Sequence, residues 1–295
     1  MPGNRGWMWV ALIAVAAFAV ASPLVIPDRS LRVAFLDVGQ GACTVIRTPS
    51  GKIMVVDCGS SSGRSPEFVA KNVVAPYLDK IGASRIDLAV LTHPHADHCN
   101  AFAALLRLKP AAAVMDIEYP HTSQYYIDFR KQVKISKATR KKAERGIRID
   151  LGDGVEVYVL SPDPGVEYPD LNDRSAVLRV VYKRTAFLLS ADATVLTESG
   201  ILRHSPRLRS DVLQVGHHGS DTSTSDEWLA AIRPRFAVIS CGRANVFGLP
   251  SKRVVARLRD ARATVYRTDK HGAVVFSTDG KDLSVRTYAP RRYRY

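Results

Sequence analysis

The stretch Ile86-Asp87-Leu88-Ala89-Val90-Leu91-Thr92-His93-Pro94-His95-Ala96-Asp97-His98 governs how the rest of the chain is read. Ile86 to Leu91 is a short apolar run with the length of a buried strand, and it leads directly into three histidines and an aspartate. Neutral imidazole and carboxylate are good ligands for zinc and similar divalent ions. On a turn leaving a strand, His93 and His95 can face one ion. Asp97 and His98, at the mouth of a helix predicted from Ala101 to Leu108, can face a second. Asp97 is also positioned to cap that helix, which would hold its carboxylate still. The alternative is a helix cap with incidental histidines, and four ligand-type residues so closely spaced argue against it.

Working outward, Leu31 to Val38, Ala42 to Thr48 and Ile53 to Asp57 read as strands, followed by a helix from Pro66 to Ile81. Further strands are predicted at Val155 to Leu160, Ser175 to Tyr182, Ala186 to Ser190, Leu213 to Gly216 and Phe236 to Ser240. Three more close the chain at Thr264 to Tyr266, Ala273 to Ser277 and Leu283 to Tyr288, with Val254 to Leu258 inside a helix. Polar residues recur just past strand ends: Asp57, the His93 cluster, Asp192, His217-His218 and Cys241-Gly242. A layered α/β fold can gather such loops into one site on a rigid scaffold.

At 46% hydrophobic and 24% charged, the composition is that of a folded protein rather than a disordered one. The formal net charge of +14 is unusual for a plain metabolic enzyme and favours polyanionic partners, nucleic acid, anionic lipid or the cell envelope, with a merely solvated basic surface as the alternative. The stretch from Phe129 to Asp150 concentrates this charge and reads as a basic helix or arm between two halves of the chain. Trp7 to Ile26 is nearly unbroken apolar sequence, compatible with a cleaved signal peptide or a retained membrane anchor. Either implies that the remainder is exported, to the cell envelope or beyond it. The expected organisation is a leader or anchor over 1–29, one domain over 30–290 and a basic tail over 291–295. A two-residue hairpin at Ser50-Gly51 would set Cys43 opposite Cys58, so a disulfide there competes with two small buried thiols. A second disulfide, Cys99 to Cys241, is a weaker expectation.

His-x-His-x-Asp-His resembles the signature of metallo-β-lactamase-like hydrolases, which implies a four-layered αββα sandwich holding one or two divalent metals. The resemblance is closer still to the hydrolase domain of ComEC-type competence proteins of bacterial DNA uptake. It rests on Leu36-Asp37-Val38-Gly39-Gln40-Gly41, Val56-Asp57-Cys58-Gly59, Asn172-Asp173-Arg174-Ser175, Leu188-Leu189-Ser190-Ala191-Asp192 and Val215-Gly216-His217-His218-Gly219-Ser220. Ser240 to Pro250 and Arg267-Thr268-Asp269 extend it. The resemblance implies that Asp192 bridges two metals bound by His93, His95, Asp97 and His98. It also implies that Asp57, Asn172 and Ser175 orient the ligands, and that His217 is a ligand or, with His218 and Asp97, part of the catalytic group. Which of His217 and His218 coordinates is left open. Ser220, Asn245 and Lys252 are candidate phosphate contacts. Zinc is the first choice of metal and manganese the alternative.

Departures from the family pattern matter too. No third histidine for the first metal is recognisable, His121 being the one histidine between the signature and Asp192. Two family glycines are replaced by Cys99 and Asn100, and Leu249 stands where the family carries a histidine. The implied activity is metal-assisted hydrolysis of a phosphodiester, as an exported nuclease acting on DNA. Hydrolysis of a small amide, lactone or thioester, and a weakly active polyanion-binding module, are the rival readings. With at most one span the chain is not itself a DNA channel, although it could work beside one; its oligomeric state is not legible.

Overall fold

A computed structural model describes residues 29–63, 65–205 and 207–289. The predicted apolar leader, apart from Arg29, and the basic tail lie outside the described residues. Among the described residues no helix is long and apolar enough to cross a membrane.

Two sheets carry the fold. The first runs, in spatial order, β15 (Leu283–Thr287), β14 (Val274–Thr278), β1 (Leu31–Phe35), β2 (Thr44–Arg47), β3 (Ile53–Val56), β4 (Ile86–Leu91), β5 (Ala111–Asp116) and β6 (Thr139–Lys142). The second runs β13 (Thr264–Arg267), β12 (Phe236–Ile239), β11 (Val212–Gln214), β10 (Thr185–Leu189), β9 (Val177–Tyr182), β8 (Val155–Ser161) and β7 (Arg148–Asp150). Side chains alternate across a strand, and both faces of these strands are apolar. On β1, Leu31, Val33 and Phe35 enter a core shared between the sheets, while Ala34 faces the other way. On β10, Phe187 and Leu189 point into that shared core and Leu188 points outward.

The outer faces are covered by helices. Over the first sheet lie α1 (Pro66–Val69, continuing through a π-helical turn Ala70–Val74 into Ala75–Lys80), α3 (Phe102–Leu108) and α4 (Gln124–Ser136), contributing Val69, Leu78, Leu105 and Phe129. Between α1 and α3 in sequence is the short α2 (Ala96–Cys99). Over the second sheet lie α5 (Val195–His204), α6 (Asp226–Ile232) and α7 (Lys252–Asp260), contributing Ile201, Trp228 and Leu258. The described residues thus form an α/β sandwich of two sheets between helical layers, with three apolar interfaces.

Several expectations change. β5 is not among the expected strands: Ala111-Ala112-Ala113 has low strand propensity, and the strand exists because it pairs in parallel with β4. Nor are α5 and α6 among the expected helices, although Thr194 and Ser225 cap them through their side chains. The basic stretch is not one arm. It supplies the second half of α4 and then the edge strand of each sheet, β6 and β7. Lysine and arginine on sheet edges discourage pairing with other chains, and Arg130, Arg140, Lys142, Arg145 and Arg148 each face a carboxylate of the same chain.

Neither of the two considered disulfides is formed. Arg47 pairs with Ile53, and Thr48 N donates to Lys52 O at 2.9 Å, so the β2–β3 loop is longer than two residues. That register, continued past Thr44↔Val56, sets Asp57 rather than Cys58 across from Cys43. Cys43 and Cys58 nevertheless remain neighbours in one apolar layer. Cys43, Cys58, Cys99 and Cys241 are all buried free thiols.

Candidate metal centre

β3 and β4 run parallel, as do β10, β11 and β12, so their carboxyl ends open on the same edge of the sandwich. The ligand turn leaves β4 there and is tied down by main-chain bonds: Ala42 N donates to Asp97 O at 3.0 Å, and Cys58 N to His98 O at 2.8 Å. Gly59 has to be glycine, since a Cβ there would collide with the carbonyl carbon of Asp97. The residues after β3 therefore brace the ligand turn by close backbone approach. Asp97 does not cap the helix that follows as expected: Ala101 occupies the cap position of α3 without a side-chain bond, and Asp97 lies inside α2. The Asp97 carboxylate instead lies 3.2 Å from His218 Nε2.

The side chains fall into two groups joined by one carboxylate. Asp97, His98, Asp192 and His218 form the first, and His93, His95 and Asp192 the second, with ligand atoms of each group within 4.8 Å of one another. This division follows the one that the spacing predicts, with His218 added. Each buried imidazole is held through its far nitrogen, which frees the other to face the centre. His98 Nδ1 is 2.7 Å from Asp57 Oδ2. His218 Nδ1 donates to Ser240 O at 2.8 Å. His93 Nδ1 is 3.1 Å from Thr92 Oγ1 and 3.4 Å from Ser175 Oγ.

The inward-facing atoms fit a cation. His93 Nε2 and His95 Nδ1 are 3.0 Å apart, and His98 Nε2 and His218 Nε2 are 3.3 Å apart. Among the described residues Asp192 Oδ1 is buried without a well-aligned hydrogen-bond partner, with His98 Nε2 3.0 Å away. A buried carboxylate oxygen left this way is costly unless a positive ion satisfies it. Electrostatics agree. Burial alone would lower His98 and His218, but the Asp192, Asp57 and Asp97 carboxylates around them hold both above the ordinary histidine range. Burial would raise Asp97 and Asp192, yet the surrounding imidazoles hold both well below the usual carboxylate range. Burial and the neighbouring His98 keep His93 neutral, as a ligand must be.

The remaining candidates are distributed differently. His217 stands at the rim, with Nδ1 3.0 Å from Thr222 Oγ1 and Nε2 3.9 Å from Asp192 Oδ2, outside both ligand groups. Both His217 and His218 have left-handed backbones (φ 47° and 53°), so strand alternation does not decide between them. Asp57 accepts from Thr92 N and Thr92 Oγ1, each at 2.8 Å, in addition to holding His98. Asn172 opens a 3-10 turn, and among the described residues its buried Oδ1 has no partner, so it contacts none of the metal-facing histidines. Asn245 is not free to bind phosphate: its amide donates to Gly242 O and Leu249 O and accepts from Leu249 N, bracing the loop that carries Leu249. Ser220 Oγ is 3.0 Å from Thr222 Oγ1, beside His217, and Lys252 begins α7 on the surface. The residues at the two replaced glycines are accommodated by the fold. Cys99 is fully buried, and Asn100 exchanges two hydrogen bonds with Ser60.

Sequence reasoning misses a clamp around the loop that carries the two histidines. The buried Glu198 of α5 accepts from Thr224 N at 2.5 Å and Ser225 N at 2.9 Å. Arg257 of α7 donates to Ser223 O and Thr224 O. An acid inside a helix ordinarily reads as solvent-facing, so no local pattern marks Glu198. Thr92 is missed as well, although its place between strand and signature is an available clue.

The family model of the metallo-beta-lactamase superfamily matches residues 36–243. The chain belongs to that superfamily. Among curated relatives of this metallo-beta-lactamase chain are "Competence protein ComA" of Neisseria gonorrhoeae, 30% identical over 93% of the chain and 36% of the relative. "ComE operon protein 3" of Bacillus subtilis is 26% identical over 86% and 34%, and "Recombination protein 2" of Haemophilus influenzae 32% identical over 81% and 28%. These are ComEC-type competence proteins, and the chain spans about a third of their length. Among solved structures, the metallo-beta-lactamase fold protein YhfI of Bacillus subtilis superposes with a TM-score of 0.56 at 11% identity, over 84% of the chain and 100% of YhfI. CmlA, a diiron beta-hydroxylase from Streptomyces venezuelae, gives 0.53 at 14%, over 84% and 54%. At such identities the likeness is one of fold. Metallo-beta-lactamase proteins are generally metal-dependent hydrolases, and the fold implies a divalent metal at the Asp192 cluster.

Proposed function

We propose that the chain hydrolyses phosphodiester bonds of DNA with two divalent ions, zinc or alternatively manganese. The observation that carries the reaction type is the pair of ligand groups sharing Asp192. His93, His95 and Asp192 would hold one ion, and Asp97, His98, Asp192 and His218 the other. Bound there, divalent ions would supply a water of lowered pKa and charge neutralisation for an in-line displacement. The His93, His95 and Asp192 group offers three protein ligands, which leaves room for water or substrate. Asp57 and Ser240 keep His98 and His218 in the tautomers that present Nε2 to the centre. His217, at the rim and restrained by Thr222, is the group suited to give a proton to the departing oxygen.

DNA as substrate is supported by the competence relatives and by the net charge of +14. A surface groove lined by Arg179, Arg207, Arg209 and Arg233 adds to the anion-attracting surface. A location in the cell envelope or outside the cell suits the same relatives and the apolar leader. The test is metal analysis followed by a panel of single- and double-stranded oligonucleotides, a phosphomonoester, a lactone and a thioester, with Asp97→Ala as control. Metal-dependent cleavage confined to the oligonucleotides and lost in Asp97→Ala is the expected outcome. Turnover of the lactone or thioester alone would overturn the assignment.

A further inference from the structure

We propose that Tyr119, Arg174 and Tyr168 form a phosphate clamp at the rim of the metal centre, the Arg174 guanidinium gripping two non-bridging oxygens of a substrate phosphodiester. The inference rests on the phosphodiester reading of the site, and it names the residue that positions the strand.

The Arg174 guanidinium carbon lies over the Tyr119 ring at 4.5 Å from its centroid and over the Tyr168 ring at 5.7 Å. Tyr168 is itself fixed, because its hydroxyl accepts from Asp163 N at 2.9 Å. Rings over the guanidinium hold the plane still and leave the N–H edge as its means of interaction. Among the described residues the Arg174 side chain has no ion pair and no hydrogen bond, unlike Arg130, Arg140, Arg145 and Arg148, which all face carboxylates. An arginine oriented in advance, with its forked donors unmatched, is built to take a planar or tetrahedral oxyanion from outside.

Its place at the rim follows from its neighbours. Ser175, the next residue, has its Oγ 3.4 Å from His93 Nδ1, and Ala176 N donates to Thr92 O at 3.0 Å. Tyr119 comes from the parallel neighbour of the signature strand: Leu91 of β4 pairs with Asp116 of β5, so the loops carrying His93–His95 and Tyr119–His121 leave the sheet side by side. The clamp therefore lies on the β5 side of the loop that carries His93 and His95.

The experiment measures binding of a fluorescein-labelled oligothymidylate to the full chain in excess EDTA, where the strand stays intact, over a series of salt concentrations. Arg174→Ala should weaken binding roughly tenfold or more, and flatten the log–log salt slope by about 0.7, the value of one phosphate contact on a single strand. Arg174→Lys keeps the charge and loses the fork. It should bind more weakly than wild type with an unchanged slope, and it keeps the test usable if the alanine variant folds poorly. Wild-type affinity and slope in Arg174→Ala, or wild-type affinity in Arg174→Lys, would overturn the clamp. Failure of the phosphodiesterase reading shows separately, as absence of oligonucleotide cleavage by wild type supplied with metal while the binding pattern above persists.

Discussion

Replacing Asp57 by asparagine is the most discriminating perturbation of the centre, because it changes one charge and leaves the backbone alone. Asp57 has φ 59°, a left-handed conformation that asparagine tolerates as readily as aspartate. Its Oδ1 accepts from Thr92 N, and its Oδ2 from Thr92 Oγ1 while holding His98 Nδ1 at 2.7 Å. Asparagine has one carbonyl oxygen for these duties. If that oxygen faces Thr92 N, the amide NH2 meets His98 Nδ1 and forces the proton onto Nε2, the nitrogen that should face the ion. If it faces His98, the NH2 abuts Thr92 N–H in a buried space. Losing a charge-assisted hydrogen bond costs about 1.5–3 kcal/mol. Residues that orient metal ligands are typically worth about 10–100-fold in affinity, which at about 1.4 kcal/mol per tenfold is the same range. Competition against a chromophoric zinc chelator at neutral pH should show a site weaker by about 10- to 100-fold in a variant that retains its circular dichroism. A folded Asp57→Asn protein with wild-type affinity and stoichiometry would refute the claim that Asp57 sets the His98 tautomer.

His218→Ala should lose metal from the group it completes, whereas His217→Ala should keep metal content and lose turnover; elemental analysis beside a rate assay separates the two. Asp192→Ala should reduce bound metal at both groups, read as stoichiometry by elemental analysis, since its carboxylate belongs to each. Glu198→Ala leaves Thr224 and Ser225 N–H without an acceptor and should cost about 1–3 kcal/mol in urea unfolding. Burial raises the Glu198 carboxyl above its ordinary 4.5. Its contribution to stability is therefore fully present below that value and lost as pH rises through the folded value, a component that Glu198→Ala should lack. Burial pushes the Cys241 thiol up to about 12 and raises Cys58 as well, so Ellman's reagent should find no reactive thiol until the protein is unfolded.

The signature from His93 to His98 is legible because its information is local: ligand-type residues, a preceding apolar run and a tight spacing carry the chemistry on a few contiguous positions. Apolar alternation likewise reveals most strands, and it places Asp57, Asp192 and the His217-His218 pair at strand ends from the order of residues alone. Three things are decided by tertiary contacts. The β2–β3 loop is longer than a two-residue turn, so Asp57 rather than Cys58 lies across from Cys43, and hairpin register depends on a loop geometry that composition underdetermines. His218 rather than His217 enters the ligand group because a left-handed turn aims it at Asp97 and Asp192 while Ser240, across a parallel strand, holds its far nitrogen. Glu198 and the Tyr119–Arg174–Tyr168 stack bring together residues distant in sequence, whose pairing no periodicity encodes. Sequence determines which groups can bind a metal; only packing at the ends of two sheets determines which of their atoms converge.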